Sequence, residues 1–67
     1  MERVPVRSKA IAQVGYEGST LEIEFTSGSV YRYFDVAERL HQDLMRAESH
    51  GKFFAAHVRG KFRYARV

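Results

Sequence analysis

Cysteine is absent from this chain, proline occurs once, and no apolar run extends beyond a few residues. Without cysteine there is no disulfide, so a folded state has to be stabilised by its hydrophobic core. The apolar runs fall far below the roughly 18 residues that a membrane-spanning helix needs. The opening residues Met1-Glu2-Arg3 do not resemble a signal peptide. We therefore expect a cytoplasmic protein.

The remaining composition is that of one small folded domain. A length of 67 residues allows a single domain, 1–67, and leaves little room for a deep active-site cavity. Hydrophobic residues make up 45% of the chain and charged residues 28%, which is typical of a globular protein and not of a disordered or fibrous one.

Neither a catalytic nor a metal-binding constellation stands out. The three histidines, His41, His50 and His57, have no cysteine to complete a tetrahedral site, and no acidic residue follows Glu48. The serines lack a recognisable base and acid partner. We expect a protein that is not an enzyme, with no cofactor and no bound metal.

Charge is distributed unevenly along the chain. Residues 1–48 carry six Lys/Arg and eight Asp/Glu, whereas residues 49–67 carry five Lys/Arg and no acid. A basic tail of this kind favours a phosphate-bearing or acidic partner. The alternative is a solvated basic edge strand that only prevents self-pairing.

Residue patterns predict an α+β domain with the order β-β-β-α-α-β and both helices on one face of an antiparallel sheet. An extended N-terminal arm, 1–9, precedes it, and Pro5 would confine any pairing of this arm to a sheet edge. Strands are expected at 11–16, 20–26 and 30–34, with a bulge or a close approach at Gly15.

We favour a three-residue turn ending in Gly28 over a two-residue turn, because it pairs Ile23 with Tyr31, Leu21 with Tyr33 and Glu22 with Arg32.

Capping signals predict the two helices. Asp35 with Glu38 is typical of an N-cap, and the first helix should then end near Glu48. Ser49 can cap a shorter second helix that stops at Gly60. Alternation from Lys61 to Val67 predicts a final strand.

An ordered series of motifs resembles the KTSC domain. The series is Gly15-Tyr16, the alternating strand Leu21-x-Ile23-x-Phe25, Ser27-Gly28, Tyr31-x-Tyr33, Val36, Ala47-x-Ser49-x-Gly51 and Phe53-Phe54. The resemblance implies a module of about sixty residues, either alone or at the C-terminus of some lysyl-tRNA synthetases, with no established activity and a suggested link to RNA. Two positions depart from the family pattern: Ala37 replaces a usual proline, and Ala55 replaces a common asparagine.

The basic tail supplies the candidate binding residues. We expect Lys61 and Arg63 to share an exposed face of the last strand and to contact nucleic-acid phosphates without reading sequence, with RNA favoured. Tyr64 is the candidate stacking residue, whereas Tyr31 and Tyr33 are expected to be wall residues of the sheet. The full set is Lys52, Arg59, Lys61, Arg63, Tyr64 and Arg66, which Arg7 and Lys9 could extend. The alternative is a module that binds a protein or a second copy through a strand edge or the short helix.

Overall fold

A five-stranded antiparallel sheet organises the protein, and the structure, a computed structural model, describes residues 1–67. The strands are β1 (Arg3–Pro5), β2 (Ile11–Glu17), β3 (Thr20–Phe25), β4 (Val30–Tyr33) and β5 (Tyr64–Arg66). The helices are α1 (Glu38–Arg46) and α2 (His50–His57). Neighbours in the sheet follow the order β1-β2-β3-β4-β5. The α+β class is confirmed, and the N-terminal arm adds an edge strand, so that the order is β-β-β-β-α-α-β.

The register between β3 and β4 is the one that the three-residue turn predicts. Ile23 pairs with Tyr31, Leu21 with Tyr33 and Glu22 with Arg32. Gly28 has a φ of 97°, a left-handed conformation that glycine adopts without a steric penalty. The turn therefore directs both tyrosines of β4 to the same face as the apolar residues of β3.

One face of the sheet carries the core and both helices. Fully buried Leu21 and Ile23 pack with Leu44 of α1, and with Phe54 and Val58 at the end of α2. The opposite face has no helix over it. The predicted close approach at Gly15 is present there, since an added Cβ would lie 2.9 Å from the Glu2 carbonyl oxygen.

The start of α1 differs from the prediction. Asp35 is not its N-cap: this residue has a φ of 59° and belongs to the turn that leads out of β4. Val36 then enters the core, and its N–H donates to the Ser19 carbonyl at 2.8 Å. The N-cap is Ala37, which offers no side-chain acceptor, and the helix ends at Arg46. Burial of Val36 outweighs the local capping preference of Asp35.

Replacement of Ala37 by proline is expected to stabilise the protein by about 0.4–1 kcal/mol. Ala37 is exposed, has a φ of −67° that matches the proline ring, and donates no hydrogen bond from its N–H. Ala37→Pro would therefore restrict the unfolded chain without removing a native interaction. Urea unfolding followed by circular dichroism measures the change, and a lower midpoint for the variant would contradict this expectation.

The C-terminal part follows the predicted caps but has a shorter strand. The Ser49 hydroxyl accepts from the Lys52 N–H at 3.2 Å, which confirms the cap of α2. Gly60 has a φ of 75°, and the Lys61 N–H still donates to the Val58 carbonyl at 3.0 Å. Lys61 and Phe62 are therefore in a turn, and β5 begins only at Tyr64. The prediction that Lys61 and Arg63 share a strand face is wrong for this reason.

Neither α1 nor α2 has the length and hydrophobicity of a membrane-spanning helix.

Candidate nucleic-acid interface

An open aromatic cleft of about 450 Å³ lies between α2 and the β4–β5 side of the sheet. We call it the aromatic cleft. It is lined by Phe25, Tyr31, Tyr33, Phe54, Arg59, Gly60 and Tyr64. Five of these seven residues contribute a phenyl or phenol ring. The cleft is therefore a mainly aromatic surface with one cation on its wall.

The register of the sheet builds the cleft. Tyr64 pairs with Tyr33 across β4 and β5, and its ring centroid lies 5.8 Å from the rings of both Tyr31 and Tyr33. From the helix side, Phe54 meets Tyr33 at 5.4 Å and Phe25 at 5.3 Å, both in edge-on geometry. Edge-on contacts between neighbouring rings stabilise the cluster beyond its apolar burial.

Exposure differs sharply among these rings. Tyr33 is 6% exposed, whereas Tyr64 is 59% exposed. Burial raises the pKa of Tyr33, the nearby phenols of Tyr31 and Tyr64 raise this pKa further, and the positive charge of Arg59 opposes the shift. Tyr33 thus stays protonated at neutral pH and forms part of the floor. Tyr64 is the ring that an incoming molecule can reach.

Two arginines of the predicted set flank the aromatic cleft. Arg59 lies on its wall, and the Arg66 guanidinium carbon lies 5.9 Å from the centre of the Tyr31 ring. Arg66 also donates to the Ser29 hydroxyl at 3.2 Å. Neither arginine makes an ion pair with a carboxylate. Both positive charges are therefore available to an anion.

The other predicted cations lie elsewhere. Arg63 is on the opposite face of the sheet, where it covers the Phe34 ring at 5.3 Å and reaches the Asp35 carboxylate at 3.4 Å. Lys61 is exposed in the turn after α2. Arg63 precedes β5 and continues its pairing, since its carbonyl accepts from the Phe34 N–H, and Arg66 is three positions further on. Side chains alternate along this extended segment, so Arg63 and Arg66 lie on opposite faces of the sheet.

Lys52 belongs to a second group. It lines a polar depression of about 430 Å³ together with Arg7 and Lys9 of the N-terminal arm, and with Glu48 and His50. The arm residues thus do join Lys52. This depression shares no lining residue with the aromatic cleft.

The helix-free face holds a network of opposite charges. Glu22 is only 1% exposed and accepts hydrogen bonds from the Nε atoms of Arg32, at 2.7 Å, and Arg3. Glu24 accepts from Gln13 at 2.6 Å and also contacts Arg3. The hydrogen bond from Arg32, aided by Arg3, holds the pKa of Glu22 below its usual value against the effect of burial. Arg3 and Arg32 are engaged internally.

The histidines have three separate environments. His41 stacks on Tyr16 with centroids 4.6 Å apart, and burial lowers the pKa of His41. His57 packs against Phe53, and His50 Nδ1 lies 2.8 Å from the Leu44 carbonyl oxygen.

Sequence reasoning did not find the cleft as a site. It correctly placed Tyr31 and Tyr33 in the wall of the sheet, and it named Arg59, Tyr64 and Arg66 within one basic tail without relating them to these two tyrosines. It did not bring Phe25 and Phe54 to the same place. The deciding feature is the pairing of β5 with β4, which places Tyr64 opposite Tyr33 and is visible only in the structure.

The fold and this cleft define a class of small α+β modules in which two helices cover one face of a five-stranded antiparallel sheet. The chain belongs to the KTSC domain family, whose sequence model matches residues 7–62. The crystal structure of a KTSC domain protein from Yersinia pestis is 40% identical and superposes with a TM-score of 0.95, covering 98% of this chain and 96% of that one.

Relatives occur both as short proteins and as parts of larger ones. A protein of Tsukamurella paurometabola is 39% identical over 61 residues, which cover 88% of this chain and 91% of that protein. A lysine–tRNA ligase of Nostoc punctiforme is 44% identical over 59 residues, or 85% of this chain. The matched region spans 10% of that ligase. The family is thus associated with lysine–tRNA ligases.

Proposed function

We propose that this protein is a small RNA-binding accessory module that contacts phosphates through its C-terminal basic residues. The observation that carries the proposal is the position of Arg59 and Arg66, two arginines without carboxylate partners beside an exposed aromatic surface. Guanidinium groups bind phosphate oxygens with paired hydrogen bonds. The proposal assigns no catalytic step to the protein.

Two further features support RNA as the partner. Similar sequences form part of proteins named lysine–tRNA ligases, and RNA-binding modules commonly combine stacking rings with nearby cations. Arg63 contributes less in this proposal than its sequence position predicts, because Asp35 partly neutralises it. Lys61 and Lys52 remain candidates for peripheral phosphate contacts.

Salt dependence tests the proposal directly. Binding of a labelled, unstructured RNA oligomer is followed by fluorescence anisotropy over a series of salt concentrations. Affinity is expected to fall steeply with salt, and the double variant Arg59→Ala with Arg66→Ala should reduce the log–log slope by roughly one to two. A matched control, Arg39→Ala with Arg46→Ala on α1, removes the same charge away from the cleft.

The control decides between specific contact and net charge. An equal decrease of the salt slope in both double variants contradicts the proposal. So does the absence of measurable RNA binding at low salt. The competing function is association with a protein or a second copy through the free edge of β5. That function predicts self-association or partner binding that barely changes with salt, measured by sedimentation in the same buffers.

A further inference from the structure

The aromatic cleft has the size and lining of a ligand site, although it is not needed for phosphate contact. Its volume of about 450 Å³ lies within the roughly 300–1,000 Å³ of small-molecule sites. Rings cover most of its wall, and Tyr64 leaves more than half of its surface in solvent. A planar group could lie against this exposed ring while Tyr31 and Phe54 form the surroundings.

Charge narrows the identity of the occupant. An aliphatic ligand would leave the two arginines at the cleft without any ionic partner, and a neutral aromatic ligand would offer them only a cation–π contact. A nucleotide unit matches both features, since its flat base stacks on aromatic rings and its phosphate pairs with guanidinium groups. Every base has a π-face, so this recognition tolerates any base sequence.

The two cations reach the tyrosine pair from different elements. Arg66 of β5 lies over Tyr31, and Arg59 lines the cleft from the turn after α2. Tyr31 and Tyr33 are two residues apart on β4, or about 6.5 Å along the strand. A base in the cleft would have one cation from each of these elements available for the phosphates that flank it.

We propose that the aromatic cleft holds one unpaired base of an RNA strand, stacked on Tyr64, with the flanking phosphates on Arg59 and Arg66. This inference rests on the proposed function and adds to it a selectivity for single-stranded RNA. A base in a duplex is already stacked on its neighbours and cannot enter the cleft. The protein should therefore prefer single-stranded RNA to duplex RNA of the same length.

Loss of the exposed ring tests the inference. Tyr64→Leu should weaken binding of single-stranded RNA roughly 5- to 150-fold and leave the log–log salt slope unchanged, because stacking releases no counterions. Tyr64→Phe keeps the ring and should bind like the unmodified protein. Phe34→Leu removes a ring from the opposite face and should also have no effect. Circular dichroism melting confirms that each variant is folded.

Two further measurements identify the bound group. An oligomer with abasic sites should bind the unmodified protein as weakly as normal RNA binds Tyr64→Leu. Since the chain contains no tryptophan, tyrosine emission can be observed directly, and a stacked base should quench it. This quenching should be largely lost in Tyr64→Leu.

The outcomes separate this inference from the proposed function. If the Arg59 and Arg66 variant lowers the salt slope while Tyr64→Leu binds normally, RNA binding stands and the base site is overturned. Equal affinity for single-stranded and duplex RNA also overturns the base site. If a mononucleotide binds as tightly as the oligomer, the proposal that the cleft holds a base of an RNA strand is overturned. Absence of any RNA binding overturns both.

Discussion

Leu44→Ala is expected to lower the free energy of unfolding by about 2–5 kcal/mol, the range for deletion of a buried leucine side chain. Leu44 has no exposed surface and is the one fully buried residue of α1. A domain of this length has a total stability of roughly 3–10 kcal/mol. The variant should therefore be partly or largely unfolded at 25 °C.

Leu40→Ala is the matched control for this prediction. It is the same substitution one helical turn earlier, at a residue that is only partly buried against the core. Its cost should be clearly smaller, because less apolar surface is lost and water can reach the site. Urea unfolding followed by circular dichroism compares the two variants. Equal midpoints would show that α1 does not pack through Leu44 as the structure has it.

The second large effect is expected at the charge network of the helix-free face. Arg32→Met should cost about 1–3 kcal/mol, because it leaves one oxygen of a buried carboxylate without its hydrogen-bond donor. Glu22 is 1% exposed, and Arg32 supplies its 2.7 Å hydrogen bond. Arg39→Met is the control, since its pair with Asp43 is on the helix surface and should contribute less than about 0.5 kcal/mol.

The same network predicts a dependence of stability on pH. The pKa of Glu22 is lower in the folded state than its ordinary value of 4.5. The contribution of ionised Glu22 to the free energy of unfolding is therefore fully present above pH 4.5, and it is lost as the pH falls through the lower, folded-state pKa. The difference in unfolding free energy between the unmodified protein and Glu22→Gln should shrink over this acidic range. A difference that stays constant from pH 7 to pH 3 would rule out an ionised Glu22 as its source.

The core around Leu44 and the charge network around Glu22 both support the candidate site. Leu44 belongs to the core on which the helices pack, and Arg32 lies between Tyr31 and Tyr33 along β4. The ion pair with Glu22 holds β4 in the register that directs both tyrosines toward the helix side. Loss of either interaction is thus expected to disturb the aromatic cleft, although neither side chain lines it.

Local chemistry made several elements predictable. The β3–β4 register followed from Gly28 and from the alternative it excludes, since a two-residue turn would place Arg32 opposite the core residue Ile23. The cap of α2 followed from Ser49. The motifs also indicated the KTSC fold. Asp35 is not the N-cap because Val36 reaches the core from the segment before α1, where its N–H donates to the Ser19 carbonyl, and a capping pattern cannot indicate such a long-range contact.

What the sequence by itself determined was the kind of molecule: a small α+β domain, the side to which each residue of β3 and β4 points, and a basic C-terminal segment. Only the tertiary structure decided which cations share a surface. Alternation along the extended segment that leads into β5 places Arg63 with Asp35 on one face, while α2 and the turn after it bring Phe54 and Arg59 to the side of Tyr64. Periodicity describes neighbours along one element, whereas the aromatic cleft depends on how distant elements pack against each other.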